Sequence, residues 1–81
     1  MLIYSIQNRL FIHSKTIVHT GCVEILHNGK RVKRYDIIKT EFFTCMPDLN
    51  SDYYTIRVSE ENQKIEEKRV FLTNKIMKIQ R

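Results

Sequence analysis

Cys22-Val23-Glu24-Ile25-Leu26-His27-Asn28-Gly29-Lys30-Arg31-Val32-Lys33-Arg34-Tyr35 holds an Asn-Gly pair between two runs of strand-forming residues. Asn28-Gly29 tolerates positive φ at both central positions, as a type I′ turn demands, so the stretch reads as a β-hairpin. A two-residue loop sets His27 opposite Lys30, Ile25 opposite Val32, Glu24 opposite Lys33 and Cys22 opposite Tyr35. That register gives an apolar pair on one face and an opposite-charge pair on the other, the usual unit of sheet stabilisation. The same hairpin carries the densest positive charge of the chain.

Upstream, Leu2, Tyr4, Ile6, Leu10 and Ile12 alternate with Ser5, Gln7, Arg9 and His13, a period-2 pattern with one apolar face. One long first strand is the simplest reading; a turn at Asn8-Arg9 would split it, but that pair lacks glycine. Ser14-Lys15-Thr16 reads as a connection. The apolar phase then changes at Gly21, which suggests a bulge or bend of the kind that curls a small sheet. Downstream, Lys30 to Met46 is too long for one straight strand, and its polar positions at Asp36 and Lys39-Thr40-Glu41 mark where it bends or breaks. Pro47-Asp48-Leu49-Asn50-Ser51-Asp52 is a loop.

Tyr53 to Val58 alternates again as a strand. Residues 59–68 admit two readings. One is a short helix with Ser59 as N-cap and acids in its first turn, though Ile65 alone gives it little to bury. The other, favoured here, is a charged hairpin with Val58 opposite Ile65 and Arg57 opposite Glu66. Val70-Phe71-Leu72, Thr73-Asn74-Lys75 and Ile76-Met77-Lys78-Ile79 follow as strand, tight turn, strand. This ending resembles the close of small SH3-like barrels, where a short helical turn joins the last two strands. No internal repeat or low-complexity segment is visible.

With 81 residues there is room for one domain and a thin core. The chain has no Ala and no Trp but many β-branched residues, and at 42% hydrophobic and 28% charged it is not a disordered composition. The expected fold is a single all-β or β-rich domain over residues 1–81. It is a strongly bent antiparallel sheet or small SH3-like barrel of five to six strands, with room for one short helix. The expected core is Leu2, Tyr4, Ile6, Leu10, Ile12, Val23, Ile25, Val32, Phe42, Cys45, Ile56, Val58, Phe71, Ile76 and Ile79. A core this thin makes self-association a further expectation.

The formal charge is +5, distributed as +5 over residues 1–39, −5 over 40–67 and +5 over 68–81. Such a dipolar chain attracts polyanions if its two basic stretches share a face; otherwise the charge serves solubility. There is no apolar run long enough to span a bilayer, and Met1 leads into Leu2–Ile6 without a basic region. No lipidation motif is present. A cytoplasmic protein with no membrane partner is expected, its two cysteines free thiols.

His19, Cys22, His27 and Cys45 are zinc-binding types, and His19-x-x-Cys22 has a knuckle-like spacing. A structural site needs two close ligand pairs, however, and His27 and Cys45 form none. On a strand, positions 19 and 22 also point to opposite faces. Core thiols and surface histidines are the plainer reading, so no metal or cofactor is expected. Cysteine and histidine are too common a pairing to signal a nucleophile and base, no glycine-rich phosphate loop exists, and so thin a core leaves little space for a catalytic pocket. The chain is therefore not expected to be an enzyme.

Lys30, Arg31, Lys33, Arg34 and Lys39 are the best functional lead. A two-stranded ribbon bearing Lys and Arg suits a DNA groove or a single strand, with Arg57 adding charge and Tyr35, Tyr53 and Tyr54 offering stacking platforms. The plainer alternative is a hairpin kept soluble by its cations. The expected function is a non-enzymatic module that engages nucleic acid, DNA or RNA, through this hairpin. Glu60, Glu61, Glu66 and Glu67, with Asp48 and Asp52, support a second reading: a small interaction or inhibitor protein whose acidic edge occupies a basic groove on a host protein. The Ile-, Lys- and Asn-rich composition suits an AT-rich genome, such as that of a phage.

Overall fold

The computed structural model describes residues 1–74. They form five strands: β1 (Leu2–Ile6), β2 (Arg9–His27), β3 (Lys30–Cys45), β4 (Asp52–Glu60) and β5 (Gln63–Leu72), all antiparallel, with no helix among the described residues. β2 is the axis of the fold. One of its edges pairs with β3 along nearly its whole length; the other pairs with β1 through Arg9–His13 and with β4 through Gly21–Leu26. Laid straight, 19 residues would span about 60 Å, whereas the longest dimension of the molecule is 49 Å, so β2 must bend.

The bend lies where the β2/β3 ladder breaks. His13 pairs with Phe42 and Val18 with Thr40, which leaves four residues of β2 against Glu41 alone. The strand with more residues takes the outside of the curve, and Lys39 on the inner strand adopts φ 50°. Ser14-Lys15-Thr16 is thus an arc of one continuous strand and not a connection. The curl carries β5 round to β1, where Ser5 Oγ donates to the Phe71 carbonyl (2.6 Å) and Thr73 N–H to the Gln7 carbonyl (2.9 Å). The result is a strongly curled half-barrel, as its bulges and alternation lead one to expect.

Three tight turns set the registers. Gln7-Asn8 (φ 57° at Gln7) joins β1 to β2, so the first strand is split, one residue earlier than an Asn8-Arg9 turn would place it. Across this hairpin Ile3 pairs with Ile12 and Ser5 with Leu10, and paired residues share a face. Ile3 therefore enters the core, while Leu2 and Ile6 are exposed and Tyr4 lies on the outer face. Asn28-Gly29 and Glu61-Asn62 both have positive φ at each central residue, the I′ pattern. Residues 59–68 are accordingly the β4/β5 hairpin and contain no helix.

Both I′ hairpins are followed by a bulge at the third residue after the turn. His27 pairs with Lys30 as expected, but Val32 is then passed over, so Ile25 meets Lys33, Glu24 meets Arg34 and Cys22 meets Asp36. In the second hairpin Ile65 is passed over, and Val58 meets Glu66 while Arg57 meets Glu67. The bulged side chains are turned out, with Val32 42% and Ile65 41% exposed. An extra residue adds twist and reverses the inside-outside sense of everything after it, which is why Val32 leaves the core.

The core gathers Ile3, Leu10, Ile12, Val18, Val23, Ile25, Ile37, Tyr54, Ile56, Val58, Val70 and Leu72. Cys45 packs against it half-buried; Phe42 and Phe71 point outward. Ile76 and Ile79, with the strand expected there, lie outside the described residues, as do Lys75 and Lys78. Asn8 fixes the loop after β3, donating to the Leu49 carbonyl (3.2 Å) and accepting from Asp48 N–H (2.8 Å).

Candidate nucleic-acid interface

The register places the hairpin's charges in rows. One row runs Arg34, Glu24, Arg57, Glu67 across β3, β2, β4 and β5, a strict alternation of sign. These side chains line a shallow groove of about 860 Å³ on the outer face of the sheet. Arg31 Nη1 stands 3.2 Å from Glu24 Oε2, and Arg57 reaches Glu24 (3.9 Å) and Glu67 (3.7 Å). Lys64 lies 3.3 Å from Glu67 and Arg34 3.3 Å from Asp36. The fold thus brings Arg31, Arg34 and Arg57 together as the sequence suggests, but against carboxylates that neutralise them. Pairs at the surface such as these, screened by solvent, add little to stability. Cross-strand charge alternation is the signal that would have revealed Glu67, readable only once the bulges are counted, whereas Asp36 sits two residues along the same strand from Arg34.

Lys30, Lys33 and Lys39 differ. All three are exposed, and among the described residues no carboxylate lies within 4.0 Å of any of them. Lys30 and Lys33 sit with Arg31 and Arg34 on the first half of β3, which among the described residues pairs with β2 alone and leaves its other edge open. The acidic segment is in turn partly occupied: Glu60 Oε2 accepts from His19 N–H (2.9 Å) and Glu67 holds Arg57 and Lys64.

Two of the three tyrosines named as stacking platforms, Tyr35 and Tyr54, are engaged in the fold. Tyr54 is buried, its hydroxyl donating to the Asn50 carbonyl (2.6 Å) and its ring 5.0 Å from His27. Tyr35 packs on Phe43 at 5.4 Å. Burial, aided by the neighbouring Cys45 thiol, pushes the Tyr35 phenol up to about 12. Burial likewise raises the Cys45 thiol, although the Tyr35 hydroxyl, Arg9 and Lys33 act to lower it. Because Tyr35 holds its proton more tightly folded than unfolded, its contribution to stability is complete below about pH 10 and is lost as the pH rises through about 12. An absorbance titration should show one phenol ionising near pH 12, and Tyr35→Phe should remove it.

The third of these tyrosines, Tyr53, is exposed, and a further ring cluster lies on β1 and β2. Tyr53 carries Arg69 over its face at 4.8 Å and meets Phe71 edge-on at 4.9 Å. On the outer face of β1 and β2, Tyr4 stacks on Phe11 (5.0 Å) and His13 (5.9 Å), and His13 leans on Phe42 (4.6 Å). Reading β1 and β2 as one strand hides this cluster, since Tyr4 and Phe11 become neighbours only through the Gln7-Asn8 turn.

His27 Nε2 lies 2.8 Å from Asp52, which ties the hairpin tip to the start of β4; this contact and the Tyr53 N–H hold the Asp52 carboxyl below its usual range. Cys22 lines the outer groove, whereas Cys45 packs against the core. Among the described residues no three His, Cys, Asp or Glu side chains cluster as a metal site would require. No protein-family model matches the chain, and no curated protein and no solved structure is similar to it.

Proposed function

We propose that the protein is a non-enzymatic binding module that engages nucleic acid, and that its phosphate contacts run along the open edge of β3. One observation carries this reading: four cations in five consecutive positions, Lys30, Arg31, Lys33 and Arg34, lie on a strand edge that has no neighbour among the described residues, and two of them face no carboxylate there. Unpaired lysines exchange their counterions for phosphates directly, Arg34 can swing from the exposed Asp36 at little cost, and Arg31 can leave the half-buried Glu24 because Arg57 remains beside that carboxylate. The outward Tyr53, with Arg69 above it, offers a ring and a cation in the arrangement that single-strand binders use. Free Cys22 and Cys45 suit a cytoplasmic setting for this activity.

Fluorescence anisotropy with single- and double-stranded DNA and RNA tests the reading. Affinity is expected to fall steeply with salt, and the Lys30→Ala/Lys33→Ala double variant to lower the salt slope by about 2, roughly one per lost phosphate contact. Absence of binding at low salt, or an unchanged slope in the double variant, overturns it. A second reading, a small interaction or inhibitor protein acting on a host protein, is favoured by the exposed Leu2, Ile6, Phe42 and Met46 on the other half of the molecule. It predicts retrieval of one host protein that survives nuclease treatment.

A further inference from the structure

Where β1, the start of β2 and the end of β3 lie side by side, paired residues share a face, so the outer face carries the rows Leu2-His13-Phe42, Tyr4-Phe11-Thr44 and Ile6-Arg9. Ile3, Leu10 and Ile12 point the other way and fill the core. Rings from all three strands touch in succession: Phe11 stacks on Tyr4 with planes 14° apart, Tyr4 on His13 at 6°, and His13 leans on Phe42 at 47°. His13 and Phe42 are exposed, Phe42 by 45%, so the core does not require rings at these positions. Arg9 stands beside the row, its Nη1 3.3 Å from Thr44 Oγ1, and among the described residues no carboxylate lies within 4.0 Å of it. Residues 1–23 contain no Asp or Glu, and residues 37–46 add only Glu41, whereas Arg9, Lys15 and Lys39 are all exposed cations.

We propose that this face is a stacking platform for the unpaired bases of a single-stranded nucleic acid. The inference rests on the nucleic-acid reading above and adds the part of the ligand that a lysine edge does not touch. Two features select this occupant. The first is the ring row: every base has a π-face that an aromatic side chain accepts, but in a duplex the bases are stacked on one another, and only a single strand can turn them onto a sheet. The second is charge: a face with Arg9 on it and acids almost absent around it attracts a polyanion and repels a second copy, which would bring its own Arg9 and a further +5. The platform and the phosphate edge lie on one strand, with Lys30 and Lys33 at one end of β3, Phe42 towards the other and Lys39 between them. Cations hold the backbone and rings hold the bases, the combination on which sequence-tolerant single-strand binding depends.

Anisotropy with three labelled ligands of equal length, an intact single strand, its duplex and an abasic single strand, separates bases from phosphates. The intact strand is expected to bind about tenfold tighter than the abasic one, the gain from stacking a base on a ring. Phe42→Leu should erase that preference and Phe42→Trp keep it, and neither should change the salt slope, which Lys30→Ala/Lys33→Ala lowers on both single strands. As a measurement that needs no variant, the ring protons of Tyr4, Phe11, His13 and Phe42 should shift on adding the intact strand and stay in place with the abasic strand or with polyglutamate. Equal affinity for intact and abasic strands, tighter binding of the duplex, or a Phe42→Leu variant that keeps the preference overturns the platform and leaves the lysine edge standing. Ring shifts produced by polyglutamate, or by raising the protein concentration alone, make an acidic protein or a second copy the occupant and overturn it as well. Absence of binding to every strand removes the platform together with the nucleic-acid reading.

Discussion

Ile56→Ala is expected to destabilise the protein by about 4 kcal/mol, the largest effect of any single truncation here. Ile56 stands at the centre of β4, paired with Ile25 on one side and Lys68 on the other, and none of its surface reaches solvent. The loss combines the transfer energy of the deleted carbons with the cavity they leave, because the strands on both sides are held in register and cannot collapse inward. A domain this small has a net stability near the low end of about 5–15 kcal/mol, so such a loss removes most of it. Urea titration followed by far-ultraviolet circular dichroism measures it as a shift in midpoint at constant slope. Phe71→Ala, which removes a larger side chain from the outer face, should cost far less; equal losses would mean that the core is misplaced.

Gly21→Ala is expected to cost about 3 kcal/mol through a different mechanism. A Cβ at this position would meet the Ser59 carbonyl oxygen at 2.3 Å and Val18 Cγ1 at 2.9 Å. The first neighbour is backbone, so no rotamer change relieves the clash and β4 must move away from β2. That movement strains the end of the ladder, where Gly21 pairs with Glu60, Glu61 N–H donates to the Thr20 carbonyl (3.0 Å) and His19 N–H to Glu60 (2.9 Å). Amide exchange should therefore accelerate at residues 19–22 and 58–61 before it does elsewhere. Gly29→Ala isolates the other use of glycine: nothing lies within 4 Å of its Cβ, but its φ of 82° disfavours a side chain, for a cost of about 1 kcal/mol. A Gly21→Ala variant no less stable than Gly29→Ala would argue against the close approach of β2 and β4.

Much of the architecture is legible from short-range rules. Asn28-Gly29 identifies its hairpin and the alternation over Tyr53–Val58 identifies β4; the mixed phase around Gly21 points to a curled sheet but misplaces the bend, because the β2/β3 ladder runs unbroken through Gly21 and shifts between His13 and Val18 and between Ile25 and Leu26. The acidic stretch 59–68 resolves as a hairpin because Glu61-Asn62 accepts positive φ at both positions and Ile65 offers a helix nothing to bury. The candidate site is legible in part. Arg31, Arg34 and Arg57 do share a surface, yet Glu24 and Glu67 share it too, and Tyr35 and Tyr54 are held by Phe43 and Asn50.

By itself the sequence determined that the chain is β-rich, where its Asn-Gly turn falls, and that a run of cations tips the hairpin, because turn chemistry and period-2 patterning act within a few residues. Only the tertiary structure decided which side chains look inward and which cations stay unpaired. The physical reason is the pleat: with a side-chain period of two, one bulged residue at Val32 or Ile65 reverses the facing of every residue beyond it. Whether Glu24 then also meets Arg57 depends on β2 and β4, which are far apart in the chain and pair only in the folded sheet.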